Sequence, residues 1–323
     1  MNTHMIHNYC AVLALCLGVV ILTVFYRQSF HQVELQPNVH GVPLNQHKLS
    51  IPDNKCTPMN FESHAFMRST EESMYAMYGE GNFDEYDEHL LNYIRSQMSR
   101  QGTGGRRLSG NSATVDFSQN GGSQFVDTLL KQRQSGFFVE CGAFDGQRFS
   151  ETLFFEINRK WTGLLIEAHP QYHRNILKKN RNALVLRGCL SSTRRPEFVK
   201  FKLHKFLSGV SSLNKNHYAW WKKVPETDVQ CFSLNSVMAA IGIRHIDFMV
   251  LDVEGSELPV LETIDWTRLN VDVFSIEYNG KNQTKKLQNI RHYFNRTGNY
   301  KEVGKLPLGT NDSTAQDVIF MRV

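Results

Sequence analysis

None of the six cysteines stands in a C-x-x-C pair, which removes zinc ribbons and thioredoxin-type sites, and no metal site is expected. No internal repeat is visible. With 22 glycines, nine prolines and 41% hydrophobic residues in 323, the chain lacks the composition of collagen, disorder or a disulfide scaffold. Charge of one sign is scarce too: the net charge is +5, and the excess is local, residues 193–223 carrying eight Lys and Arg against Glu197 alone. A chain that coats nucleic acid along its length is therefore excluded, while one basic patch that meets an anionic or polar ligand stays open.

What is present begins with an apolar run. Residues 9–26 (YCAVLALCLGVVILTVFY) hold no charge and no proline, long enough to cross a hydrocarbon core as a helix. No small-residue cleavage site follows at Thr23-Val24-Phe25-Tyr26-Arg27, so the run reads as an uncleaved signal anchor behind a short cytoplasmic tail, residues 1–8. The flanking charges, none before the span and Arg27 after it, oppose a luminal C-terminus on the positive-inside rule. Residues 27–112 read as a stem. It contains Pro37, Pro43, Pro52 and Pro58, one amphipathic helix over residues 84–100, and a Gly/Ser-rich linker or lid over residues 101–112.

Over residues 113–323 apolar runs alternate with helical stretches. Strands are expected within 136–146, where the first runs into a glycine turn, at 162–167, 183–189, 246–253 and 271–278, and two more at 300–306 and 317–323. Helices fall between them, at 150–160, through Tyr172 and Lys179, and at 230–242, 256–266 and 283–297. This pattern predicts an α/β domain, a doubly wound, seven-stranded, mostly parallel sheet whose last strand runs antiparallel. A basic insertion, residues 193–229, interrupts it, with a half-buried strand over 197–204.

Ligands of such sheets bind beyond the carboxyl ends of the strands. The first strand ends in Glu140-Cys141-Gly142-Ala143-Phe144-Asp145-Gly146, and the second ends at Glu167, at the distance where a carboxylate accepts ribose hydroxyls. Ala143 and Phe144 stand where a dinucleotide site wants an early glycine, so a cofactor without pyrophosphate, such as S-adenosylmethionine, fits better. Glu140, Gly142, Ala143, Asp145, Gly146 and Glu167 are the expected cofactor contacts, with Asp252 at the methionine end. Asp252, Glu277, His204 and His217 are the candidate bases, and the strand-end carboxylates would equally suit a divalent cation. Glu257 and Glu262 read as a solvated helix face. Trp220, Trp221 and Lys202 form the expected acceptor floor, an aromatic and polar surface suited to a sugar ring and equally to stacked nucleobases, although buried packing suits the two tryptophans as well.

Two cysteines, Cys189 at the end of the third strand and Cys231 where the chain returns from the insertion, are expected at one sheet edge. Cys141 is separated from Cys189 by an intervening strand, beyond disulfide reach. A Cys189–Cys231 bond with Cys141 free is the expectation.

Taken together, Glu140-x-Gly142-Ala143-x-Asp145-Gly146, Ile166-Glu167-Ala168-x-Pro170 and Leu251-Asp252-Val253-Glu254-Gly255-x-Glu257 resemble the FkbM-type methyltransferases, over roughly residues 116–323. Gly136-Phe137-Phe138-Val139, Lys179-Asn180-Arg181 and Cys189-Leu190-Ser191 are similar to the animal membrane-anchored branch that includes Star-like proteins. His169 and Leu251 depart from the common pattern, which has Asp or Asn, and in many bacterial relatives Lys, at those places. The resemblance implies a methyl-donor fold, a type II anchor and a secretory-pathway location, and it outweighs the flanking charges. The function it implies is an S-adenosylmethionine-dependent O-methyltransferase of the Golgi or ER membrane, acting from the lumen on a glycan or glycoprotein hydroxyl, with no nucleic-acid partner. A catalytically silent Star-like cargo adaptor is the alternative. Sequons at Asn282, Asn295 and Asn311 are candidate glycosylation sites.

Overall fold

The computed structural model describes residues 84–100, 105–110, 116–203, 225–279, 282–313 and 315–323. The expected anchor at 9–26, most of the stem, and His204, His217, Trp220 and Trp221 lie outside the described residues. Among the described residues, no helix is long and apolar enough to cross a membrane.

Eight strands form the main sheet: β1 (Met98–Arg100), β2 (Phe137–Cys141), β3 (Thr162–Glu167), β4 (Ala183–Arg187), β8 (His245–Leu251), β9 (Asn270–Glu277), β10 (Tyr300–Leu306) and β11 (Asp317–Arg322), in the order β1-β4-β3-β2-β8-β9-β11-β10. β4, β3, β2, β8 and β9 run parallel, and β1, β11 and β10 join antiparallel. From β2 the chain winds outward through β3 and β4, then returns to β8 on the other side. That reversal opens a crevice between β2 and β8 at their carboxyl ends. A second sheet, β5 (Cys189–Leu190), β7 (Glu226–Phe232) and β6 (Glu197–Lys202), stands beside it.

The parallel strands carry near-continuous apolar runs because both faces are covered. In β2, Phe137, Val139 and Cys141 enter one core while Phe138 enters the other, the two-residue period of a strand. The first core receives α1 (Glu88–Ser96), α5 (Leu234–Ala240), α6 (Glu257–Glu262) and α7 (Gln283–Thr297). The second receives α2 (Gly122–Leu129), α3 (Leu153–Asn158) and α4 (Pro170–Lys179).

Four expectations need correction. The helix assigned to the stem belongs to the domain. α1 is capped by Asp87, whose Oδ1 accepts from His89 and Leu90 N–H, and it buries Leu90, Leu91 and Ile94 in the main core. At about 1.5–3 kcal/mol for each such side chain, this packing anchors the segment. The helix also stops at Ser96, and Met98–Arg100 pairs antiparallel with β4, giving the sheet an eighth strand and covering an open edge. Buried Glu85 reinforces the docking, accepting from Arg194, Ser233 and Asn235.

Residues 105–110 are likewise no free linker: Arg107 N–H donates to Lys179 O at 2.7 Å and Asn180 Nδ2 to Gly105 O at 3.1 Å. The expected helix over 230–242 begins only at Leu234, after Ser233 caps it, because Glu226–Phe232 pairs with β6 and extends to the β5 edge. The third expected strand splits for the same reason: Cys189 leaves the main sheet to pair with Cys231. These two cysteines form a disulfide, and Cys141 is free and buried.

Candidate functional site

At the crevice lies a cavity of about 290 Å³, bordered by the ends of β2, β3, β8 and β9, the turn after β2 and the start of β11. Gly142 is part of its lining. Its φ is +82°, and a Cβ there would collide with the carbonyl of Asp252, so the approach of the β2 and β8 ends requires glycine. Three non-glycine residues of the lining also adopt left-handed backbone: Phe144 (φ 48°), Phe149 (φ 64°) and Glu254 (φ 56°). Such conformations persist where surrounding bonds over-determine them, and they gather at functional sites.

Glu167 supplies that constraint for Phe144. Its Oε2 accepts Phe144 N–H at 2.8 Å and its Oε1 accepts His169 N–H at 2.7 Å. Burial outweighs those donors and raises the carboxyl to about 8. His169 caps α4 by accepting Gln171 N–H, with Pro170 in the first helical turn. Around this side Phe144 and Tyr172 rings lie 4.3 Å apart, and Phe201 closes the wall.

On the other side of Gly142 the lining is acidic, with Glu151, Asp252, Glu254, Glu277 and Asp317. Burial, with repulsion from Glu254 and Asp317, holds Asp252 well above the usual carboxylate range; burial, with repulsion from Asp252 and Glu254, does so for Glu277, and burial and Asp317 for Glu151. The Oε2 atoms of Glu151 and Glu277 have no hydrogen-bond partner among the described residues.

Several expected contacts are placed differently. Glu140 borders the cavity, but its oxygens are taken by Ser150 Oγ, Thr152 Oγ1 and Glu151 N–H, so it shapes the turn. Asp145 accepts the N–H groups of Gln147 and Arg148, and Gly146 packs on Ile176; neither is among the lining residues. Ala143 does line the cavity. Lys202 pairs with Glu226 at 3.8 Å across β6 and β7, outside the lining. Glu257, read as solvated, is buried and accepts Val253 and Gly255 N–H through Oε1, which holds the turn after Asp252; Glu262 is exposed.

Sequence reading missed Glu151 and Asp317. Glu151 sits in an irregular turn, and Asp317 opens a strand whose insertion beside β9 is a tertiary fact. Its signal is cross-strand pairing with Glu277.

Setting aside β1, the strand order with its reversal between β2 and β8 and its antiparallel β11 defines a class I methyltransferase-like α/β fold. The family model for the methyltransferase FkbM domain matches residues 140–302, half of the chain, and the protein belongs to that family. Solved structures similar to it include methyltransferase FkbM from Methylobacillus flagellatus KT (12% identity, TM-score 0.37, covering 80% of this chain and 60% of that one). Precorrin-6y C5,15-methyltransferase from Geobacter metallireducens GS-15 is similar at 12% identity and TM-score 0.33, covering 66% and 93%. A Streptococcus mutans protein described as a methyltransferase, in complex with SAH, is similar at 12% identity and TM-score 0.32, covering 62% and 97%. No curated protein matches the chain.

The protein is thus an S-adenosylmethionine-dependent methyltransferase by family, and its residues fit that cofactor. The Gly142 cradle leaves backbone accessible, and Glu167 keeps lone pairs for ribose hydroxyls beyond its two backbone donors. Glu167→Ala is expected to weaken cofactor binding about tenfold, because it removes two hydrogen bonds to ribose hydroxyls, together worth roughly 1–3 kcal/mol. Calorimetry on the folded variant checks this, and unchanged affinity removes Glu167 from the site.

Proposed function

We propose that the protein transfers a methyl group from S-adenosylmethionine to a hydroxyl of a glycan, as a Golgi- or ER-membrane enzyme with residues 9–26 as its anchor and the catalytic domain in the lumen. The observation that supports the hydroxyl is the pair of strand-end carboxyls beside Gly142, Asp252 and Glu277, both held above their ordinary range by burial and repulsion. A carboxyl of raised proton affinity is a better match to a hydroxyl proton than an ordinary one.

When bound, the cofactor supplies an electrophilic methyl carbon on a sulfonium, whose sulfur keeps the bonding pair on leaving. Glu167 orients the ribose, and Gly142 admits the neighbouring chain of the cofactor. Asp252 or Glu277 takes the proton that the acceptor oxygen loses as it bonds to the methyl carbon. Most of the rate comes from holding the oxygen in line at near-attack distance. Carboxylates also accept hydrogen bonds from several hydroxyls at once, which suits a sugar.

Support for the lumen comes from the Cys189–Cys231 disulfide, since such bonds persist in oxidising compartments. Asn282, Asn295 and Asn311 are exposed, open to glycosylation there. A protease-protection assay is expected to shield the C-terminus in sealed microsomes, and at least one sequon is expected to carry glycan. A cytosolic C-terminus overturns both the location and the substrate. The activity itself is tested by methyl transfer from labelled cofactor to a panel of free sugars. Methylated sugar is expected; firm cofactor binding with no transfer to any acceptor points instead to the silent Star-like cargo adaptor.

A further inference from the structure

We propose that the acceptor carries a protonated amino group, held by Glu151, Asp317 and Glu277 beside the hydroxyl that is methylated; this rests on the hydroxyl-directed reading above. Among the described residues, the cavity presents a row of carboxylates that make no ion pair with a Lys or Arg. Asp317 stands opposite Glu277 in the antiparallel pair of β11 and β9, and the pairing of Leu251 with Ile276 sets Asp252 next to Glu277 at the ends of β8 and β9. Like charges directly opposite one another weaken a sheet, so this row is disfavoured by stability alone. Glu151 completes it from the turn after β2. That side chain is 7% exposed, lines the cavity, and leaves its Oε2 unpartnered among the described residues.

The described cations nearby make no ion pair with this row. Arg148 is the one Lys or Arg in the described lining, and its guanidinium lies 4.5 Å over the Phe149 ring. Lys286 acts on Glu254 and Glu257, and its Nζ donates to Asn279 O at 2.7 Å. Buried charges need a partner. S-adenosylmethionine brings a sulfonium and an ammonium against one carboxylate, a single net positive charge for four acidic groups. An anionic acceptor is repelled, and a neutral polyol satisfies hydrogen bonds but not charge. An ammonium satisfies both, and it draws the carboxyls from the neutral form, which burial favours, into the charged one.

The test uses the full-length protein saturated with S-adenosylhomocysteine, so that binding is read apart from turnover. By calorimetry, glucosamine is expected to bind about tenfold or more tighter than glucose, and glucuronate weakest. In the double variant Glu151→Gln, Asp317→Asn, the preference for the amine is expected to fall to about twofold or less. A second matched pair, 2-aminocyclohexanol and cyclohexane-1,2-diol, separates charge from sugar recognition. Preference for the amine in that pair, with no sugar bound, supports the inference while overturning the glycan reading. Equal affinities within both pairs, tighter binding of glucuronate, or an amine preference that survives in the double variant overturns the inference.

Discussion

Replacing Arg181 with methionine is expected to cost about 3–5 kcal/mol of folding free energy, the usual penalty for breaking a buried ion pair by removing one partner. Arg181 is fully buried. Its Nε donates to Glu156 Oε2 at 2.8 Å, and its other nitrogens reach Gly146 O, Ser150 Oγ and Thr152 Oγ1 at 3.0, 2.9 and 3.1 Å. Glu140 lies 3.6 Å away. One cation thus bridges two buried carboxylates, sharing Glu156 with Arg106, and ties down the turn that follows β2. Methionine fills the place over the Phe138 ring but offers neither carboxylate a donor, so Glu156 keeps only Arg106 and the Asn182 N–H, and Glu140 has no cation. Such a loss is a large share of a stability that is usually about 5–15 kcal/mol. Urea unfolding measures it, and a double variant that adds Glu156→Gln should recover part of the loss. A change below about 1 kcal/mol would show that the network contributes little. The same variant should weaken cofactor binding in its folded fraction, because Ser150 and Thr152 hold Glu140 and the glycine turn.

Stability of the cofactor-free protein is expected to fall as pH rises from 6.5 to 9. The sign follows from which state holds more protons. Glu167, raised to about 8, and Asp317, raised to about 7, stay protonated in the fold where the unfolded chain has already lost those protons, so each costs stability as pH climbs to its folded value. His245 acts in the same direction. Asp247 and Asp272 raise it to about 9, and the stabilisation of its charged form is lost as pH passes from its ordinary value through 9. The two carboxyls alone account for about 2–3 kcal/mol over this window. His245 is half exposed, so its part is smaller than the displacement suggests. Thermal unfolding at pH 6.5 and 9 checks the direction, and Glu167→Gln should flatten the slope. A stability that holds or rises would contradict the burial of these groups.

Periodicity and strand-end chemistry determined much of this protein from residue order alone. The apolar runs around Val139, Leu165, Val250 and Phe274 and the helical faces between them define parallel strands, because a strand buried on both sides needs an unbroken apolar run. Gly142, Glu167, Asp252 and Glu277 were legible because ligands of such sheets sit at the carboxyl strand ends, where each of them falls. Local signals failed where pairing partners are distant. Met98–Arg100 continues a helical pattern and is a strand only because β4 leaves an edge to fill. Glu226–Phe232 is a strand because β5 and β6 flank it. Glu257 reads as an exposed helix residue, yet the turn after Asp252 points two N–H groups at it. Asp317 meets Glu277 only because β11 inserts between β9 and β10, and Glu151 joins them only when the turn after β2 folds over the sheet edge. A hydrophobic period is set by neighbours three or four residues away, whereas the acidic half of the site is assembled from residues 151, 252, 277 and 317, which chain order keeps far apart and sheet order alone brings together.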